Sequence, residues 1–431
     1  METLQRTANR GSVSTGYDIT NSVKLEDTNT EYLQRAASGS DGNRRTMTLS
    51  MWLKRTGIGN DHIFYSQGSH VRFRFKTSDY FSLRLANGHE FEKESRLFRD
   101  PAAWYHMVVA VDTTQSTNTD RVKIYWNGVQ ETDFDTAQYP DLNEELTLGQ
   151  FSSVTTQLGW FTEAGYGFDG YITEVNYIDG SQKAPTDFGE FDDDTGIWIP
   201  KQYTGSYGSE GFFLNFDDSS SMGADSSGNG KNFSLNNVSA ADQATDTCTN
   251  NFATLNPIMK YPSSQVINEG ATKVDRTSGS GLNKTFYATI PVFSGKFYFE
   301  AQPTEGSGQM IGVESITGVN TDAPDSVYVG EQSTAVGYYA SNGNKYTSAS
   351  GSSYGNSYGN SDIIGVALDM DNRKVYFAKN NTWQNSGDPT SGSTGTGAID
   401  LPDSTDGYIF AVSYDSGGQW VVNFGGYTTM S

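Results

Sequence analysis

The carboxylates, histidines and single thiol of this chain set the covalent chemistry it could attempt. Cleaving a glycosidic bond with two carboxyls needs them about 5–5.5 Å apart for retention, or about 6.5–9.5 Å for inversion. The nearest candidate is Glu174, in the alternating run Ile172-Thr173-Glu174-Val175-Asn176-Tyr177. In a strand the residues at +2 and +4 share its face, and these are Asn176 and Ile178 instead of a second acid. His62, His70, His89 and His106 have no recognisable serine, cysteine or metal-ligand motif beside them. His106 falls in an apolar run, and a packed or surface imidazole without a chemical role is expected. Cys248 is the only cysteine, which excludes an intrachain disulfide and a thiolate metal cluster. No basic residue stands near it to activate the thiol. The expectation is a protein without covalent chemistry.

Other residues point to binding. Calcium takes six to eight oxygen ligands, and the Asp-rich segments offer Asp192, Asp194 and Asp217 as candidates. Against that, Asp in turns ordinarily accepts local backbone hydrogen bonds, and this plainer role is the favoured one. The segment Gln157 to Gly167 places Trp160, Phe161 and Tyr166 among glycines. Such rings can stack on sugars while polar neighbours fix orientation; the alternative is that Trp160 and Phe161 pack beneath their own loop or against a neighbouring subunit. Arg72, Arg74, Lys76 and Arg84 form a basic stripe that could meet an anionic polysaccharide. Glu90, Glu92 and Glu94 alternate on the next segment, and cross-strand pairing is expected to neutralise the stripe.

The elements that must hold these residues are strands. Val71-Arg72-Phe73-Arg74-Phe75-Lys76 puts apolar residues on one face and cations on the other. Phe81, Leu83 and Leu85 alternate likewise, as do Val122, Ile124 and Trp126 before the hairpin pair Asn127-Gly128. Further strands are expected at Phe168 to Ile178, Lys296 to Ala301, Ile363 to Leu368, Val375 to Phe377, Tyr408 to Tyr414 and Trp420 to Phe424. No comparable run has helical spacing. The fold class is therefore all-β.

At 431 residues, two domains are the natural expectation. We place an arm at 1–20, a first sandwich at 21–246 completed by the apolar runs Gly211 to Phe216 and Phe233 to Leu235, a linker at 247–256, and a second sandwich at 257–431. The balance of 29 basic against 51 acidic side chains gives a formal charge of −22. That opposes nucleic-acid binding, which needs clustered cations on phosphates. Met1 to Gly16 is polar and lacks the apolar core of a secretion signal. No stretch approaches the roughly 20 apolar residues that span a bilayer, so we expect a soluble chain made in a cytoplasm, with no membrane insertion.

The first half resembles the laminin G-like, concanavalin A-like jelly-roll family. The likeness rests on Met47 to Lys54, Trp104 to Asp112, Val122 to Gly128 and Phe168 to Val175, in that order over about Ser22 to Ile199. The second half resembles a SPRY domain over about Pro257 to Tyr427. Here the matching segments are Gly295 to Glu300, Ile311-Gly312-Val313, Tyr354-Gly355 through Asp369, Val375-Tyr376-Phe377 with Asn380-Asn381, Ala411-Val412-Ser413 and Val422 to Gly425. The resemblance implies two β-sandwiches in tandem, the second presenting loops to peptide or protein partners. Tyr338, Tyr346, Tyr354 and Trp383 are then candidate contacts, with Tyr354 and Tyr358 in a pattern that also suits a structural role.

The pairing of the two modules is similar to virion proteins of marine bacteriophages, through Ala224 to Phe233 and Thr249 to Pro257. This implies a non-catalytic protein of the virion surface, as tail fibre, spike or capsid decoration, that binds host-surface glycan or protein. Its other partners would be virion proteins, and a homo-oligomer is expected without any coiled-coil heptad to set its number. The alternatives are a structural decoration or assembly protein facing other virion proteins, and a glycan depolymerase.

Overall fold

The computed structural model describes residues 16–85, 88–259, 265–276, 284–319, 327–402, 407–414 and 416–427. The chain divides into two units, the first ending at Asn251 and the second beginning at Phe252.

The first unit is a sandwich of two antiparallel sheets. One runs in the order Val129–Glu131, Val122–Trp126, Trp104–Asp112, Thr46–Arg55, Gly170–Asp179, Ser22–Leu25 and Gln243–Ala244, with Phe212–Leu214 also pairing on Gly170–Asp179. The other runs Thr136–Ala137, Glu90–Leu97, Tyr80–Arg84, Val71–Phe75, His62–Gln67, Thr156–Leu158, Tyr32–Arg35 and Ser234–Asn236. The alternation in the sequence sets which face is which. Val71, Phe73 and Phe75 are wholly buried while Arg72 and Arg74 between them are half-buried. Trp126 fills the core, with its ring centroid 4.3 Å from Phe98 and 5.1 Å from Phe81.

The outer faces of the two sheets differ. The first is roofed by the 181–207 excursion: Phe188 and Tyr203 pack on Val108 and Ile178, and Trp198 lies on His106. The Asn127-Gly128 turn is shaped for this roof. Asn127 (φ 47°) and Gly128 (φ 78°) are both left-handed, and a Cβ at Gly128 would stand 2.3 Å from the Trp198 ring. The outer face of the second sheet is only partly covered: Gln34, Arg72, Arg74 and Arg84 are half-buried, while Ser66, Ser82 and Gln157 are buried.

Residues 16–20 of the expected arm are packed on this unit. Ile19 is buried and donates its N–H to Thr249 Oγ1 (2.9 Å), and Thr247 Oγ1 donates to Ile19 O (2.9 Å). The segment expected as a linker is thus anchored at its start. Asn251 Oδ1 accepts from the buried Lys54 Nζ (2.8 Å), which also pairs with Asp246 (2.6 Å).

The second unit is again two antiparallel sheets. One runs Gln265–Asn268, Lys273–Arg276, Ser416–Asn423, Lys296–Ser307, Ile364–Asp369, Lys374–Lys379 and Thr382–Trp383. The other runs Lys284–Tyr287, Tyr408–Tyr414, Met310–Ser315, Ala335–Tyr339, Asn344–Thr347 and Ser350–Ser353. Phe297, Phe299 and Ala301 are buried on one face of their strand. Among the described residues no helix is long and apolar enough to cross a membrane.

Candidate functional site

Glu174, His106 and Cys248 are each held in a setting that opposes covalent chemistry. Glu174 lies at a bulge, where register with Thr46–Arg55 shifts between Thr173 and Asn176 and Glu174 takes φ 52°. Its carboxyl accepts the Tyr17 hydroxyl proton (2.7 Å) and is pushed up to about 8, chiefly by burial. Asn176 accepts from the Tyr207 hydroxyl (2.9 Å) and Ile178 packs under the roof. Ser50 Oγ lies 2.8 Å from His106 Nε2, a spacing that suits a nucleophile and its base. The wiring runs the other way. Trp198 Nε1–H donates to His106 Nδ1 (2.9 Å), so in the neutral ring the proton sits on Nε2 and is given to Ser50. Burial takes His106 down to about 3, and its ring is stacked between Trp52 and Trp198. Burial also pushes the Cys248 thiol well above its usual range, the opposite of activation.

The open face of the second sheet carries a different arrangement. Register places seven polar residues in one row across its strands: Ser234, Gln34, Gln157, Ser66, Arg72, Arg84 and Glu90. Their strand neighbours Leu33, Leu158, Tyr65, Phe73, Leu83 and Phe91 all point into the core. The hairpin of Trp160–Phe161 and Tyr166–Gly167 rests on the middle of the row. Ser66 Oγ donates to Trp160 O (2.7 Å), Gln157 Nε2 donates to Thr162 Oγ1 (2.9 Å), and the Arg72 guanidinium lies 5.1 Å over the Phe161 ring. On the Gln34 side of the hairpin is an open cleft of about 380 Å³, lined by Gln34, Gly68, Val154, Gln157, Thr162 and Glu163 among others.

On the other side lie the arginines, and here the expected pairing is only half realised. Arg74 faces Asp61 (3.5 Å) and Glu90 (3.9 Å), and Lys76 faces Glu92 (3.5 Å). Arg72 and Arg84 stand directly opposite each other, and among the described residues neither has a carboxylate within 4 Å. Glu90, opposite Arg84, turns its carboxylate toward Arg74 instead. Burial, and then the neighbouring Arg74 and Arg84, lower the Arg72 pKa, while the charges of Glu90 and Asp61 act in the opposite direction without cancelling them.

The candidate aromatic contacts fall in different settings. Trp160 is half-buried, stacked on Tyr32 at 5.7 Å; Phe161 is buried; Tyr166 is 44 % exposed at the hairpin tip. In the second unit Tyr338 has no exposed surface and packs with Tyr354, Tyr358 and Phe377. Tyr354 is also buried, its hydroxyl accepting from Phe377 N (3.2 Å). These two rings build the fold and offer a ligand no surface. Tyr346 and Trp383 are half-buried, against Tyr339 and Tyr298 respectively. The proposed calcium ligands hold turns: Asp192 accepts from Thr195 N (2.7 Å) and Oγ1 (2.5 Å), and Asp217 from Thr20 Oγ1 and Asn215 Nδ2 (2.7 Å each). Asp194 is exposed. Among the described residues these three do not gather into a group able to share an ion. Gln34, Gln157, Ser66 and Thr162 were not singled out from the sequence. Their only signal was a polar residue at alternate positions of each strand.

The family comparisons agree with this division of the chain. Residues 27–185 match the family model described as the concanavalin A-like lectin/glucanases superfamily, and residues 296–398 match that of the SPRY domain. No curated protein matches the chain. Among solved structures, a human SPRY domain is 19 % identical with TM-score 0.31, over 38 % of this chain and 96 % of that one. The SPRY domain of human HERC1 is 18 % identical with TM-score 0.30, over 39 % and 96 %. The TRIM65 PSpry domain is 12 % identical with TM-score 0.30, over 40 % and 92 %. The chain thus carries, in tandem, a concanavalin A-like domain of the laminin G type and a SPRY domain, two folds that typically serve as binding modules.

Proposed function

We propose that the protein is a non-catalytic recognition protein whose concanavalin A-like domain binds saccharide on the open face of its second sheet. The observation that carries this is the polar row with its aromatic hairpin and adjoining cleft. The half-buried Gln34 amide and the exposed Thr162 hydroxyl at the cleft suit sugar hydroxyls, with buried Ser66 and Gln157 holding the hairpin, and half-exposed rings suit sugar faces. Tyr166, 44 % exposed at the hairpin tip, is the ring best placed for such stacking. The SPRY domain adds half-buried Tyr346 and Trp383 for a protein partner.

We place this protein on the surface of a bacteriophage particle, where it contacts host-surface glycan or protein. That setting rests on the likeness of the segments 224–233 and 249–257 to phage virion proteins. The test is binding of the purified chain to a panel of bacterial surface polysaccharides, together with a Gln34→Ala/Gln157→Ala variant. Saturable binding that the variant loses supports the reading. A folded wild-type protein that binds no saccharide overturns it, and the structural-decoration alternative then stands.

A further inference from the structure

Arg72 and Arg84 are a cross-strand pair of like charges, and among the described residues no carboxylate lies within 4 Å of either. Like charges directly opposite on neighbouring strands are destabilising, and this chain has 51 acidic side chains with which to relieve them. The direct contacts of Asp61, Glu90 and Glu92 go to Arg74 and Lys76, and Asp61 and Glu90 offset the charge of Arg72 only from beyond contact distance. Arg72 Nε is in addition buried without a hydrogen-bond partner, and such a donor carries a desolvation penalty until something accepts from it. The Arg72 guanidinium lies against the Phe161 ring, 5.1 Å from its centroid. Arg72 is two strands from Gln157, about 10 Å away, so one extended ligand could reach both sides of the hairpin.

We infer that Arg72 and Arg84 form an anion subsite, and that the saccharide bound on this face is acidic, carrying a sulfate ester or a carboxylate. The inference rests on the saccharide reading above and names its ligand class. Guanidinium groups match the paired oxygens of either anion in a planar, bidentate geometry. Charge complementarity selects the occupant: an acidic sugar completes the pair, whereas a neutral one leaves both cations facing each other.

The test uses the full chain and three probes at low salt: a heparin hexasaccharide (sulfated), an oligomannuronate of the same length (carboxylate only) and neutral maltohexaose. Binding of one or both acidic probes, weakened by added salt, is expected, and the two acidic arms tell sulfate from carboxylate. Arg72→Gln and Arg84→Gln should each weaken acidic-probe binding by about tenfold or more. Without ligand, Arg84→Gln should melt at or above the wild-type temperature, because it removes the repulsion. A variant that melts lower would mean the pair is already compensated, and overturns the inference. So does acidic-probe binding that both substitutions leave unchanged. If maltohexaose binds as well as the acidic probes and the arginine variants are silent, the saccharide reading survives and the anion subsite falls. If no probe and no polysaccharide binds, both fall together.

Discussion

Replacing Glu174 by Gln should change how the stability of the first unit depends on pH. Glu174 is titratable, 7 % exposed, and held in a left-handed bulge beneath the Tyr17 hydroxyl. Its folded pKa is raised from 4.5 to about 8, with burial the largest cause and the charge of Asp217 adding to it. A carboxyl raised in this way is protonated in the folded chain while the unfolded chain has already ionised. The stability it contributes is fully present below about 4.5 and is lost as pH rises toward 8. Between pH 5 and pH 8 the loss integrates to roughly 3 to 4 kcal/mol. Glu174→Gln keeps the size of the side chain and an oxygen to accept from Tyr17, but has no proton to lose. Urea unfolding of both proteins at half-unit pH steps, followed by tryptophan emission, reads the difference directly. The gap between Glu174→Gln and wild type should widen in favour of the variant as pH rises, at up to about 1.4 kcal/mol per unit. Glu314, pushed up to about 7 by burial in the SPRY domain, is common to both proteins and cancels. A gap that stays constant from pH 5 to pH 8 would refute the reasoning, because it would mean that Glu174 is ionised throughout.

Two further substitutions probe the framework around the site. Lys54→Met removes the cation of a fully buried ion pair and leaves the Asp246 charge to the Trp104 Nε1–H (3.0 Å) and its other neighbours. Thermal or chemical unfolding should show a loss of about 3–5 kcal/mol, and Lys54→Met/Asp246→Leu should recover much of it. Gly128→Ala meets both a left-handed φ and the Trp198 ring, so it should cost about 2–4 kcal/mol by denaturant titration. Altered Trp198 emission should accompany that loss.

Much of the fold was legible because strand alternation is local. The run Val71 to Phe75 gives its buried and open faces residue by residue, and Asn127-Gly128 gives its turn from backbone conformation alone. The site was less legible because it is made by register. Nothing near Arg72 in the sequence says that Arg84 will stand opposite it, or that Glu90 will turn toward Arg74. The expected neutralisation of the stripe followed from counting acids on the next segment, which cannot say which cation each acid reaches. Tyr338 and Tyr346 look alike as exposed-loop tyrosines, yet Tyr338 falls on the inward phase of its strand and is wholly buried, while Tyr346 is not. The bulge at Glu174 was hidden because a single extra residue leaves the apolar periodicity on either side intact. The sequence left His106 as either a packed or a surface imidazole; it is packed, and its locked tautomer depends on Trp198, 92 residues away.

The first and last strands described in the first unit lie side by side. Ser22–Leu25 lies beside Gln243–Ala244 in the same sheet, and Ile19 is bonded to Thr247 and Thr249. A folded module whose entry and exit are neighbours can be spliced into a surface loop of another protein without forcing that loop apart. It can equally be excised, leaving ends close enough to rejoin. Selection acting on such a chain could exchange this module as a single cassette.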